Sequence, residues 1–187
     1  MKKTLILSCC APCSAGVAEF FAKTKRPVCV FFYNPNIATK EEHDLRASEN
    51  KRLCAFFGLP FVCLPYEPAV WLKETKDFLN EPERGKRCSL CFSLRLRKAA
   101  EYAQKNGFDC FTSVLGVSRY KNLDQVNLCA QAVAEEFGLP YDFTNWRKGG
   151  LELRRTQIIK ELNLYSQKYC GCLPSQNLQI KNPASFE

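Results

Sequence analysis

The sequence holds one histidine and one methionine in 187 residues. A lone histidine, His43, nearly excludes Ser/His/Asp catalysis and histidine-rich metal sites, and it is expected on a solvated helix. Neither GxxxxGK[ST] nor GxGxxG occurs, so the residues give no support to ATP use. No apolar run approaches the roughly 18 to 20 residues of a membrane span, so no membrane partner is expected. Leu5-Ile6-Leu7, after the basic start, is too short for a signal-peptide core of about 7 to 15 residues. The expectation is a soluble, cytoplasmic protein with reduced thiols. Internal repeats and low-complexity segments are also missing.

Cysteine is abundant instead. Twelve in 187 residues is about 6%, below the roughly 8 to 10% of disulfide scaffolds and in a longer chain than most of them. Three clusters stand out: Cys9-Cys10-Ala11-Pro12-Cys13, Cys88-Ser89-Leu90-Cys91 and Cys170-Gly171-Cys172. Clustered reduced thiols point to a metal, an iron-sulfur cluster or a redox dithiol. Zinc and a cubane cluster each take four ligands, so seven thiols leave a surplus for a second metal or an open, reactive site. Cys29, Cys54, Cys63, Cys110 and Cys129 stand alone in apolar or helical runs and are expected to pack as small buried hydrophobes.

The hydrophobic pattern alternates. Short strand-like runs at 4–7, 27–33, 60–64, 110–115 and 141–143 are separated by helical spacings at 15–23, 40–57, 70–79, 92–106 and 123–137, and a further helix is expected over 151–164. Strands alternating with helices of that length predict an α/β fold, a parallel sheet covered by helices on both faces. Residues 1–175 then form one domain, with 176–187 a polar tail. In such folds ligands collect where strands end and loops begin, and residues 9–13 form such a loop at the start of a helix, where free amides and the dipole favour thiolates. Gly149-Gly150 suits a tight loop beside the site.

The net charge of +8 favours a polyanionic partner. Ser118-Arg119-Tyr120-Lys121 and Asn145-Trp146-Arg147-Lys148 interleave rings with cations, a pattern that can stack on unpaired bases or can simply be a solvated face.

Six motifs in order resemble the epoxyqueuosine reductases of the QueH type, which complete the queuosine modification of tRNA. They are the 9–13 cysteine loop, Tyr33-Asn34-Pro35-Asn36-Ile37, Lys86-Arg87-Cys88-Ser89-Leu90-Cys91-Phe92, Leu115-Gly116-Val117-Ser118-Arg119-Tyr120-Lys121-Asn122, Trp146-Arg147-Lys148-Gly149-Gly150 and Tyr169-Cys170-Gly171-Cys172. The resemblance implies a HUP-like parallel sheet with its cysteine-rich loops at the strand C-terminal edge. In related folds the first loop cradles ATP; here cysteines replace its glycines. It also implies a 4Fe-4S cluster beside a mononuclear metal, expected to be iron, with Cys10, Cys88, Cys91 and Cys172 holding the cluster and Cys9, Cys13 and Cys170 the metal. The implied substrate is a tRNA anticodon loop carrying epoxyqueuosine, served by an external electron donor. Cys9 and Cys13 then act at the reacting centre, with Tyr33, Tyr120 or a metal-bound water as the proton source. Arg87, Arg119, Lys121, Arg147 and Lys148 are expected to face tRNA phosphates. The alternatives from the cysteines are a thiol-disulfide oxidoreductase using Cys10 and Cys13, a cluster-dependent tRNA-thiolating enzyme and an RNA-binding zinc module.

Overall fold

The computed structural model describes residues 1–118 and 121–181, the last three by their backbone alone. Arg119 and Tyr120 therefore lie outside the described residues, as do residues 182–187 of the expected tail. Four strands, β1 (Thr4–Ser8), β2 (Val28–Phe32), β3 (Phe61–Cys63) and β4 (Cys110–Ser113), form one sheet in the order β3-β2-β1-β4. All pairings are parallel, with Thr4 beside both Val28 and Cys110 and with Val30 beside Phe61. Leu5-Ile6-Leu7 and Val28-Cys29-Val30-Phe31-Phe32 are buried throughout. Continuous apolar runs of this kind suit strands with helices on both faces.

The helices are α1 (Ala11–Thr24), α2 (Lys40–Phe57), α3 (Pro68–Thr75), α4 (Lys86–Lys105), α5 (Leu123–Phe137), α6 (Leu151–Glu161) and α7 (Leu173–Lys181). Their ends follow local chemistry. Thr39 accepts from the Glu42 amide (3.2 Å) to start α2, and Asn122 accepts from the Asp124 and Gln125 amides (2.9 and 3.2 Å) to start α5. The left-handed Gly58 and Gly138 end the same two helices. The small residues Ala11, Ala15 and Ala18 form a seam on α1 against Leu53 of α2 and Ile158 of α6. Gly16 is needed there as well, since a Cβ would lie 2.7 Å from the Leu151 carbonyl oxygen. Gly149 and Gly150, both at positive φ, turn the chain into α6.

Four expectations change. The segment 141–143 makes a single bridge, Tyr141 to Phe111, because the Asp142 side chain accepts from the amide and hydroxyl of Thr144 and turns the chain away. Residues 176–181 of the expected polar tail are helical and belong to α7. His43 is 3% exposed, packed between the rings of Tyr66 (4.6 Å) and Phe32 (5.3 Å), since the inward stripe of α2 is itself polar: His43, Arg46 and Asn50, followed by Leu53 and Cys54. Cys63 is exposed because β3 is a short edge strand.

Candidate metal centre

Parallel pairing puts the C-terminal ends of β1, β2 and β4 side by side, and the cysteine loop leaves β1 at that edge. Cys10 is the N-cap of α1 with Pro12 in the first turn, Cys88 lies in the first turn of α4, and Cys172 directly precedes α7, its carbonyl accepting from the Gln176 amide at 3.0 Å. Each cysteine motif thus sits at a helix N-terminus, where unpaired amides and the dipole stabilise thiolates.

The Sγ atoms of Cys9, Cys10 and Cys13 lie within 4.8 Å of one another and are buried, with Cys9 and Cys10 at 3.7 Å. Hydrogen bonds from the Cys10 and Cys13 thiols hold Cys9 well below the ordinary thiol pKa, against burial. Cys10 receives a hydrogen bond from Cys13, but its donation to Cys9 and its burial push it up to about 11. Donation to Cys10 and Cys9 raises Cys13 well above its ordinary value. Burial raises Cys88 to about 11 and also raises Cys91 and Cys172.

These thiols border a cavity of about 470 Å³ lined by Cys9, Cys13, Cys88 and Cys170, with Pro12, Phe92, Tyr169, Lys121 and the Glu152–Arg155 ion pair. The charged lining is five basic side chains (Arg46, Arg84, Lys121, Arg155, Lys168) and two acidic ones (Glu83, Glu152). Burial works against the charged form of Lys121, yet Cys170, Cys9 and Cys13 outweigh it and hold Lys121 above its ordinary pKa.

Sequence reasoning missed the frame behind the thiols. Arg46, Arg87 and Arg95, at 2%, 1% and 1% exposed, are the largest fully buried side chains among the described residues. Arg46 pairs with Glu42 (2.7 Å) and donates to the carbonyls of Cys170 (2.9 Å) and Tyr169 (3.3 Å). The Cys170 amide donates to Ser175 Oγ (3.0 Å), whose hydroxyl donates to Glu83, so this peptide is gripped from both sides. The Ala38 amide holds the Gly171 carbonyl (2.9 Å), and Gly171 itself is at φ +130 with Arg46 Nη1 3.1 Å from where a Cβ would stand. Arg95 donates to the Tyr33 carbonyl (3.3 Å) and to Asn34, which in turn donates to the Ser8 carbonyl (3.0 Å) just before Cys9. Ser8 also bonds Ser14 and Asn50, each at 2.7 Å. The available signal was charge out of place: Arg95 stands on the stripe of α4 that includes Phe92, Leu96 and Ala99.

The expected site residues divide. Cys9, Cys13, Cys88, Cys170 and Lys121 meet at the cavity, with Cys10 buried beside Cys9 and Cys13. Lys148 is exposed. Arg147 is half-buried and holds the carbonyls of Ser118 and Lys121 (3.0 Å for the latter), so it shapes that loop. Trp146 is buried between Phe20 and Phe21 with Nε1 on Thr112 Oγ1 (3.2 Å), and is not a stacking platform. Arg87 is not on a phosphate-facing surface: the turn at 79–81 folds over it and takes its Nη1 in the carbonyls of Leu79 and Glu81. Tyr33 is buried and is not among the cavity-lining residues; burial first, then the Glu67 carboxylate, push its phenol up to about 12.

The donor set suits a soft metal or an iron-sulfur group. Thiols are its only close ligand trio among the described residues. Among the described residues neither Arg87 nor Arg95 forms an ion pair with a carboxylate, and their charges favour the anionic forms of the nearby Cys88, Cys172 and Cys91 thiols. Arg87 Nε and Nη2 are buried with no acceptor, a cost of about 1–3 kcal/mol per group that an added sulfur acceptor would remove.

A parallel α/β sheet with convergent thiols at its C-terminal edge and no membrane-crossing helix among the described residues defines the class: an α/β protein with a cysteine cluster able to hold a metal. The model of the epoxyqueuosine reductase QueH family matches residues 4–177, and the chain belongs to that family. An epoxyqueuosine reductase QueH of Histophilus somni is 44% identical over 174 residues, covering 92% of this chain and 72% of the relative. That of Haemophilus influenzae is 44% identical over 175 residues, covering 92% and 71%. Among solved structures, the U34-tRNA thiolase NcsA from Methanococcus maripaludis with its [4Fe-4S] cluster superposes with a TM-score of 0.59 at 15% identity, over 98% of this chain and 68% of that one, a likeness of fold.

Proposed function

We propose that this protein reduces epoxyqueuosine in a tRNA anticodon loop to queuosine, two electrons and two protons removing the epoxide oxygen as water and leaving the cyclopentene. The observation that carries the reading is the convergence of seven thiols, three helix N-termini and a basic cavity at one sheet edge, in a chain of this family. Cys10, Cys88, Cys91 and Cys172 would hold a 4Fe-4S cluster; Cys9, Cys13 and Cys170 would hold an adjacent iron. In support, all three thiols of the second set line the cavity, whereas Cys88 alone of the first set does. When bound, such groups supply single electrons and a Lewis acid.

The chain's own residues do the rest. Phe92 and Pro12 give the cavity that the thiols share part of its apolar lining. Lys121 keeps an ammonium proton on the wall beside Cys9 and Cys13, in reach of a departing oxygen, so it serves the reacting centre before any open phosphate surface. Arg147 fixes the loop that carries Lys121, and exposed Lys148 meets the RNA backbone. Tyr33, turned to Glu67, leaves Lys121 or Tyr120 as the proton source among the chain's own side chains. An external donor supplies the electrons, ATP has no place in the balance, and a tRNA substrate puts the reaction in the cytoplasm.

The test is anaerobic reconstitution with iron and sulfide, then incubation with a reductant and epoxyqueuosine-containing tRNA and mass spectrometry of the digested nucleosides. The expected result is loss of one oxygen from the nucleoside, abolished by Cys9→Ala or Cys88→Ala. A loaded cluster with an unchanged nucleoside would overturn the assignment.

A further inference from the structure

Arg87 belongs to the turn that delivers Cys88, yet its side chain runs inward and is 1% exposed. Nη1 is taken by the carbonyls of Leu79 (2.8 Å) and Glu81, while Nε and Nη2 are buried and meet no acceptor. The other two buried arginines differ: Arg46 spends its donors on Glu42, Tyr169 and Cys170, and Arg95 on Tyr33, Asn34 and the Cys91 thiol. A guanidinium stays charged in proteins, so Arg87 brings a fixed cation and two idle donors into the interior. Thiols lie near it. Cys88 is its chain neighbour, and Leu79, whose carbonyl it holds, packs against Trp71, Cys91 and Cys172. The Arg87 charge also favours the anionic forms of Cys88 and Cys172.

We infer that Arg87 tunes the cluster, its Nε and Nη2 donating to the sulfur atoms of a centre held by Cys88, Cys91 and Cys172 and so raising its reduction potential. The inference rests on the cluster reading above. A reduced cluster carries one more negative charge than the oxidised one, and a buried cation with N–H donors on its sulfurs stabilises that charge. Leu79 and Glu81 fix the other edge of the guanidinium, which keeps the two free donors aimed.

The test compares reconstituted wild-type protein with Arg87→Lys and Arg87→Gln, reading iron and sulfide content, melting temperature and a potentiometric titration followed by EPR. The expected result is a midpoint more negative by at least about tenfold in the one-electron reduction equilibrium, ~59 mV, for Arg87→Gln, and a smaller shift for Arg87→Lys, which keeps the charge. Pulsed EPR of the reduced wild-type cluster should show exchangeable-proton couplings that weaken in both variants. A merely structural role would lower loading or melting temperature and leave the midpoint of the loaded fraction unchanged, and that outcome overturns the proposal. If neither variant loads, absence of the exchangeable couplings in wild-type protein overturns it and their presence supports it. Wild-type protein that takes up no cluster would instead overturn the reading on which it rests.

Discussion

Two populations of cysteine share this fold, and their neighbours separate them. Cys29 and Cys54 are buried on β2 and α2, where desolvation raises both thiols, Cys54 to about 12. The Cys54 thiol is thereby held in its inert, neutral form. At the other end of the sheet, Cys9, Cys10 and Cys13 are equally buried, but their thiols hydrogen-bond one another and face Arg95, Arg46 and Lys121, so one of the three, Cys9, is driven toward the thiolate. Burial alone therefore does not decide what a cysteine does. Hydrogen bonds from neighbouring thiols, and after them nearby cations, do.

The largest effect expected is from Cys10→Ala, which removes the thiol beside both Cys9 and Cys13: cluster content, read as iron and sulfide per chain, should fall to background and turnover by about 10³-fold or more. Gly171→Ala strains a φ of +130 and presses a methyl on Arg46 and Ile37; a stability loss of about 1–3 kcal/mol, measured by chemical denaturation, should accompany reduced metal loading. Metal uptake by the metal-free protein should strengthen with pH. Cys10 and Cys88 sit at about 11 when unligated and must lose a proton to bind, so each proton released makes apparent affinity rise about tenfold per pH unit below that value. Cobalt(II) titration at pH 6.5 and 8.5 checks the sign. Alkylation of the metal-free protein, followed by peptide mass spectrometry, should modify Cys9 before Cys54, and equal rates would erase the distinction between the populations. The smallest effect is from Cys54→Ala, which should cost about 1 kcal/mol of stability and leave turnover within about twofold.

Much of the site could be read from one dimension because its chemistry is local. A CxPC-type loop after a strand, a CxxC opening a helix and a Cys-Gly-Cys before another helix each declare a thiol pair at a helix start. The arginine frame could not be read that way. Arg87 in Lys86-Arg87-Cys88 looks like surface charge, and only the turn at Leu79 and Glu81 buries it. Trp146 beside Arg147 and Lys148 suggests a base-stacking ring, and only its packing on Phe20 and Phe21 removes it.

The order of apolar runs and the three cysteine motifs were enough to specify a parallel α/β sheet with thiols where β1 ends, because side-chain periodicity and helix-start chemistry act over a few residues. Which thiols face the cavity, which cations are buried against them and which arginines keep idle donors were decided by tertiary structure. Those properties depend on folded geometry, from the turn at Leu79 and Glu81 that closes on Arg87 to contacts across more than a hundred positions, as between Arg46 and Cys170, that close only when the helices pack on the sheet.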